Sequence, residues 1–304
     1  MIEKNCGKMY FVPNMKKNFI FSCSFFSRTA LLVVILSLFS LQAVFSREFS
    51  ENEKQAVQEI FSFRLSLRSL PDVSSCAEKL REYKNQNREK IESLGEEARL
   101  TCDNMLATAE YNLEYEKDIH SSEMEKILRP QYQKILEFSK GKSAEELNPY
   151  FVLTSADLTN SMLQFLPRSY SITLGLQEKK DYAVVVKNNP EMSFALTLSA
   201  WWYYYAPSVG GGSESKAREF FELAQKSAVS DYDKYYSCIN LAQFHFEKKN
   251  SELCDKYMEE AEKILPETRY VKLLRRINKI GYSLFDYNMN SRREKIDKKL
   301  IIDD

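Results

Sequence analysis

A chain of 304 residues, 44% of them hydrophobic, is long and apolar enough to bury a real core, which excludes disorder as its default state. The 43 basic residues are matched by 43 acidic ones, so no general attraction to nucleic acid is expected, because that affinity rests on clustered cations neutralising phosphates. Only eight glycines and eight prolines punctuate the chain, and such sparseness favours long helices.

At the N-terminus, Lys16, Lys17 and Arg28 precede an uncharged run from Thr29 to Ser46 that contains LLVVILSLF. Val44, Phe45 and Ser46 then offer small residues near a cleavage point, and the whole reads as a secretory signal over residues 1–46, with Met15 a better start for it than Met1. An uncleaved membrane anchor is the alternative, but the strongly apolar part falls short of the ~20 residues of a span and Ser37, Ser40 and Gln42 dilute it. Cys23 lies ahead of the apolar run, where it is badly placed to carry a lipid. Removing residues 1–46 takes away five basic residues and one acid, which leaves 38 Lys+Arg against 42 Asp+Glu, mildly acidic. Cys76, Cys102, Cys238 and Cys254 remain, too widely spaced for a small disulfide scaffold, and are read as buried free thiols.

From Ser50 to Leu70, Ala56, Ile60, Phe63, Leu67 and Leu70 fall on one helical face, and Pro71 ends it. Ser74 to Lys117 predicts two helices that break near Leu94-Gly95. Ser122 to Phe138 predicts another, terminated by Gly141. Asn148-Pro149 and Asn189-Pro190 each pair an N-cap residue with proline at a first helical position, so a helix is expected to start at each. The β-branched stretch Tyr182 to Val186 is kept helical, since no partner strand appears elsewhere.

The segment Phe194 to Ala228 carries the clearest pattern. Leu198, Trp201, Trp202 and Tyr205 stand at i, i+3, i+4 and i+7, and Ala217, Phe220, Phe221, Ala224 and Ala228 form a second stripe. Between them Pro207 stops the first helix, Gly210 to Gly212 reverse the chain, and Ser213 caps the second. A helical hairpin is expected, with the Leu198-Trp201-Trp202-Tyr205 stripe in its interface. Asp233 to Lys248 and Ser251 to Leu265 predict another. Ala217, Phe221 and Ala224 recur as Cys254, Met258 and Ala261, each displaced by 37 residues, which is an internal repeat.

In the second hairpin Leu241, Ala242, Cys254, Met258, Ala261 and Pro266 stand at the spacing of the tetratricopeptide repeat, and the chain resembles that family over about residues 194–268. The resemblance implies that Ala242 and Cys254 pack where two helices approach closely. It departs from the family at His245, where an aromatic is usual, and in the length of the first hairpin's turn. The aromatic-proline turn, the three glycines and the following repeat are also similar to periplasmic tetratricopeptide subunits of TRAP-type solute transporters. That similarity implies a binding-protein partner and a small organic ligand.

Little else points to chemistry. The two histidines, His120 and His245, come with no zinc-binding spacing, and Gly141-Lys142-Ser143 lacks the leading glycine of a phosphate loop. The carboxylates are scattered over solvated helix faces, so no catalytic residue, metal or cofactor is nominated. The run Trp201 to Tyr205 cannot all face one core, because five successive residues spread around the helix. Trp201, Tyr203, Tyr204 and Tyr205 are therefore the candidate partner-binding residues, with Tyr203 and Tyr204 the rings expected to reach a concave surface. Ala217, Phe221, Ala224, Ala242, Cys254, Met258 and Ala261 are the expected repeat-packing residues.

The expected molecule is all-α: antiparallel hairpins in a short right-handed array of tetratricopeptide type with a C-terminal capping helix. Residues 47–147 form an N-terminal helical region, 148–288 the array, and 289–304 a loose polar tail. Its expected role is that of an exported, periplasmic or extracellular scaffold for a protein partner, non-catalytic and without a membrane span once the signal is removed. The alternatives are a transporter accessory subunit binding a small ligand and a helical-scaffold enzyme such as a lytic glycosidase. Intact-mass measurement of the exported product should place its first residue near Arg47; a product retaining Leu31 to Leu41 in the membrane fraction would overturn cleavage.

Overall fold

The computed structural model describes residues 48–303. The export signal read over residues 1–46 lies outside the described residues. Among the described residues the protein is all-α, with no strand and with no helix long and apolar enough to cross a membrane. The N-terminal helices are α1 (Glu51–Ser66), α2 (Val73–Gln86), α3 (Arg88–Glu92), α4 (Glu96–Lys117), α5 (Glu123–Ser139) and α6 (Pro149–Met162). They are followed by α7 (Arg168–Asn188), α8 (Ser193–Tyr205), α9 (Glu214–Ser227), α10 (Asp231–Glu247) and α11 (Ser251–Ile264). The chain closes with α12 (Arg269–Lys279), α13 (Leu284–Tyr287) and α14 (Asn290–Asp303).

Local chemistry sets most boundaries. Ser50 and Glu53 form a reciprocal capping box at the start of α1, and Asn148 accepts from the Tyr150 N–H ahead of Pro149 at the start of α6, each satisfying an otherwise orphaned donor. The expected break at Gly95 is present, and Asn87 adds a second one between α2 and α3. Asn189-Pro190 does not start a helix. The Asn189 backbone N–H and side-chain amide both donate to the Val185 carbonyl, which closes α7, and α8 begins only at Ser193. Asn189 thus serves the helix end behind it.

The C-terminal segment differs more. The expected single closing helix breaks at Gly281, whose φ is +85°; the Tyr282 N–H donates to the Ile277 carbonyl and the Gly281 N–H to that of Asn278, a left-handed C-cap. Periodicity hides this break because Leu284 keeps the helical spacing. Residues 290–303 are helical, not a loose tail: Ile296 and Leu300, one turn apart on α14, are buried, and α14 packs on α12. Two inward-facing apolar residues among many charges were too few to announce it.

The core is built in three clusters. The largest runs from Phe49 to Ala195 and crosses the junction at residues 147 and 148. The second joins Leu65 of α1 to α10, α11, α12 and α14. The third lies between α8, α9, α10 and α13 around Phe221 and Phe285. The most extensive helix contacts are within the hairpins α10/α11 and α8/α9, and α9 packs on α10, so the hairpins stack.

Both hairpins close on small residues. Ala217, Phe221 and Ala224 are buried, as are Cys254, Met258 and Ala261 at the positions 37 residues on, and Ala200 and Ala242 show no exposed surface. Ala242 and Cys254 lie in one cluster on paired helices. Between α8 and α9 the chain turns at Gly211, with φ +96°, and at Gly212, where a Cβ would sit 1.7 Å from the Ala206 carbonyl oxygen. The Ser213 N–H donates back to the Tyr203 carbonyl, and the Ser193 hydroxyl to that of Ala224 at 2.8 Å, tying the hairpin at both ends. The four described cysteines are free and buried, and burial pushes the Cys102 and Cys238 thiols up to about 12, so they pack as apolar groups.

Ala242→Leu overpacks the α10/α11 interface and is expected to cost about 1–3 kcal/mol of stability. A chemical-denaturation midpoint unchanged from the parent would show that the helices do not depend on close approach there.

Candidate functional site

A cavity of about 850 Å³ is walled by α1, α4, α6, α7, α8, α10 and the closing helices. Its aromatic wall is one face of α8. Leu198, Trp201, Trp202 and Tyr205 line it together, as their spacing on a helix requires. The expectation that this stripe fills the hairpin interface is therefore reversed. The interface takes the opposite face, where Ala200 has no exposed surface. Tyr203 stacks on Phe220 with ring centroids 5.4 Å apart, and Tyr204 meets Phe285 of α13 in a tilted contact at 4.2 Å. The reason is steric: α9 approaches with Ala217 and Ala224, and two indoles in between would hold the helices apart.

Of the four candidate partner-binding residues, Trp201 and Tyr205 thus face the central cavity. Tyr204 does not line it, and Tyr203 lines a separate hollow of about 280 Å³ beside α7. Sequence reasoning missed Trp202 as a cavity residue because it placed that ring in the hairpin interface. The aromatics are held in place by polar contacts. The Trp202 indole N–H donates to the Gly175 carbonyl of α7 at 2.8 Å, Lys179 lies 4.6 Å from the Trp202 ring, and the Tyr205 hydroxyl donates to the Phe285 carbonyl at 3.0 Å.

The polar wall was not legible in the sequence. Arg64 near the end of α1 and Arg68 on the 3-10 turn Leu67–Ser69 that follows it line the cavity beside Tyr232, Tyr236 and Tyr270. The Arg68 Nε donates to the Tyr236 hydroxyl at 2.8 Å, and its guanidinium lies 4.1 Å from the Tyr270 ring. The Arg64 Nη1 is buried with no hydrogen-bond partner. Glu178 of α7 is 5% exposed, and its Oε1 is likewise buried and unpartnered. Burial pushes the Glu178 carboxyl up to about 8, with Asn160 opposing the shift. Burial also raises Asp157, against the pull of Arg64. At neutral pH Glu178 is consequently a neutral hydrogen-bond donor and acceptor, and the two arginines remain cationic.

The volume falls in the range of small-molecule sites, and the mixture of stacked rings with a few convergent polar groups is the composition of such sites. No protein-family model matches the chain, and no curated protein matches it.

Glu178 also leaves a mark on stability. Its carboxyl in the folded protein stays protonated above the ordinary glutamate value of 4.5, so the folded state binds the proton that the unfolded chain has released, and its contribution falls as pH rises from about 4.5 to about 8. Glu178→Gln should remove that fall: the Tm difference, variant minus parent, is expected to grow across this window and level off above it. A difference independent of pH would place the carboxyl in contact with solvent.

Proposed function

We propose that this chain is an exported, non-catalytic binding protein, a short right-handed array of tetratricopeptide type that holds a small organic ligand in its central cavity. The observation that carries the reading is the convergence of Trp201, Trp202 and Tyr205 with unpartnered polar groups of α1 and α7 on one cavity. Aromatic side chains at such a site supply large contact area at little entropic cost. The 37-residue repetition of buried positions supports the repeat frame, and the similarity to periplasmic subunits of TRAP-type transporters supports a role in delivering or sensing a solute alongside a partner protein.

A second reading, a helical-scaffold glycosidase, draws on the desolvated Glu178 carboxyl in a cleft. That chemistry needs a second carboxylate held ionised beside the acid. Asp157 is instead raised by burial as well, so the binding reading is preferred.

The neutral fluorophore N-phenyl-1-naphthylamine tests the site, since its emission rises in an apolar cavity and it quenches tryptophan nearby. The chain has two tryptophans, and both line the cavity. Trp201→Ala is expected to weaken binding by about 2 kcal/mol, the scale of an aromatic anchor, while Tyr204→Ala leaves it unchanged. If both variants bind as the parent does, the cavity is not where ligand sits.

A further inference from the structure

Two arginines of the cavity wall have no carboxylate bonded to them. Arg64 and Arg68 both line the cavity, yet neither makes an ion pair. Arg68 is satisfied by the Tyr236 hydroxyl and the face of Tyr270. The Arg64 guanidinium lies 5.8 Å from the Tyr232 ring centroid, with its Nη1 buried and unpartnered. The other arginine side chains about the cavity and its rim are answered: Arg293, 4% exposed, pairs with Asp297 at 2.9 Å, and Arg269 pairs with Glu116. Asp157 acts on Arg64 through space but makes no bond to it. A buried guanidinium without a counter-ion is costly unless something else supplies the acceptor.

We infer that the ligand carries a singly charged oxyanion, a carboxylate or sulfonate, seated on Arg64 with Arg68 beside it, and that its apolar body lies along Trp201 and Tyr205. The inference rests on the reading of the cavity as a ligand site. The charges on the wall leave room for one anion at most: Arg64 and Arg68 face the seat, while Asp157 of α6 and Asp233 of α10 line the same cavity. Glu178 faces the same cavity from α7 and is the hydrogen-bonding group for a polar atom away from the anion. The tyrosines of α10 and α12 that flank the arginines keep water out and offer ring faces to the cations. No bond is made or broken in this step; the ligand replaces a missing acceptor.

Two probes isolate the charge. 8-Anilinonaphthalene-1-sulfonate and N-phenyl-1-naphthylamine share one ring system and differ in the sulfonate, and both quench Trp201 and Trp202 if they enter the cavity. The full exported chain is expected to bind the sulfonate at least about tenfold more tightly than the neutral probe, the size of one hydrogen bond to a charged group. In Arg64→Gln that preference should fall to within about threefold, with affinity for the neutral probe kept and Tm equal to or above the parent's, because an unsatisfied buried cation has been removed. Arg64→Lys should retain part of the preference.

Equal binding of the two probes by the parent overturns the anion seat and leaves the cavity reading standing. The same holds if Arg64→Gln weakens both probes alike. Failure of both probes to quench the tryptophans overturns the cavity reading and the anion seat together. The comparison on the parent protein needs no variant, so a poorly folding Arg64→Gln does not rescue the inference.

Discussion

Two helices lie close along their length only where at least one of them presents small side chains, and this constraint organises the C-terminal half of the protein. Ala200, Ala217, Ala224, Ala242 and Ala261 are without exposed surface, and they mark the lines along which α8 to α11 meet. Once the alanine face of α8 is committed to α9, its other face must carry the bulk. Trp201, Trp202 and Tyr205 are thereby turned toward the interior of the array, where no further helix is close enough to cover them fully. The cavity follows from how the hairpin is packed.

The cavity also needs α1. Leu65 belongs to the cluster of the closing helices, and Phe61 meets Phe194 and Tyr232 at ring-centroid distances of 5.2 and 4.7 Å. The N-terminal helix therefore packs on α10, far away in sequence; it carries Arg64 into place from the same turns that bury Phe61 and Leu65, and the 3-10 turn Leu67–Ser69 at its end carries Arg68. An amphipathic helix normally sends its arginines to water. Here they lie on a boundary between core and cavity, backed by tyrosines instead of carboxylates. That arrangement leaves hydrogen-bonding capacity unspent, which sets this wall apart from the ion-paired surfaces elsewhere, such as Lys84 with Glu110 or Arg275 with Glu262.

Side-chain amides elsewhere in the molecule are satisfied and have a structural role. Asn104 links α4 to Thr154 and Ser155 of α6, and Gln131 of α5 donates to Asn104 at 2.7 Å. Gln243 and Asn278 exchange a pair of 3.0 Å hydrogen bonds, and Gln243 also accepts from the Leu284 N–H beyond the Gly281 turn. These networks fix the register of neighbouring helices. Arg64 and Glu178 differ from them in one respect: each has a buried, unpartnered atom on a side chain that lines a cavity large enough for a ligand.

The sequence by itself determined the class of fold, the two C-terminal hairpins and the repeated buried positions, because helix spacing, caps and a glycine turn are encoded within a few residues of one another. Asn148-Pro149, the turn at Gly210 to Gly212 and the triplet Ala217-Phe221-Ala224 are such local signals. It left undecided which side of an all-round apolar helix meets its partner, since Trp201 to Tyr205 offer a stripe in any direction; only the fit of α8 against the alanines of α9 settled that. The burial of α14, the turn at Gly281 and the meeting of α1 with α10 were likewise set by tertiary structure, and so was the polar wall. Arg64 and Glu178 are separated by more than a hundred residues, and nothing in a linear pattern of charge distinguishes an arginine bound for solvent from one that a distant helix will bury.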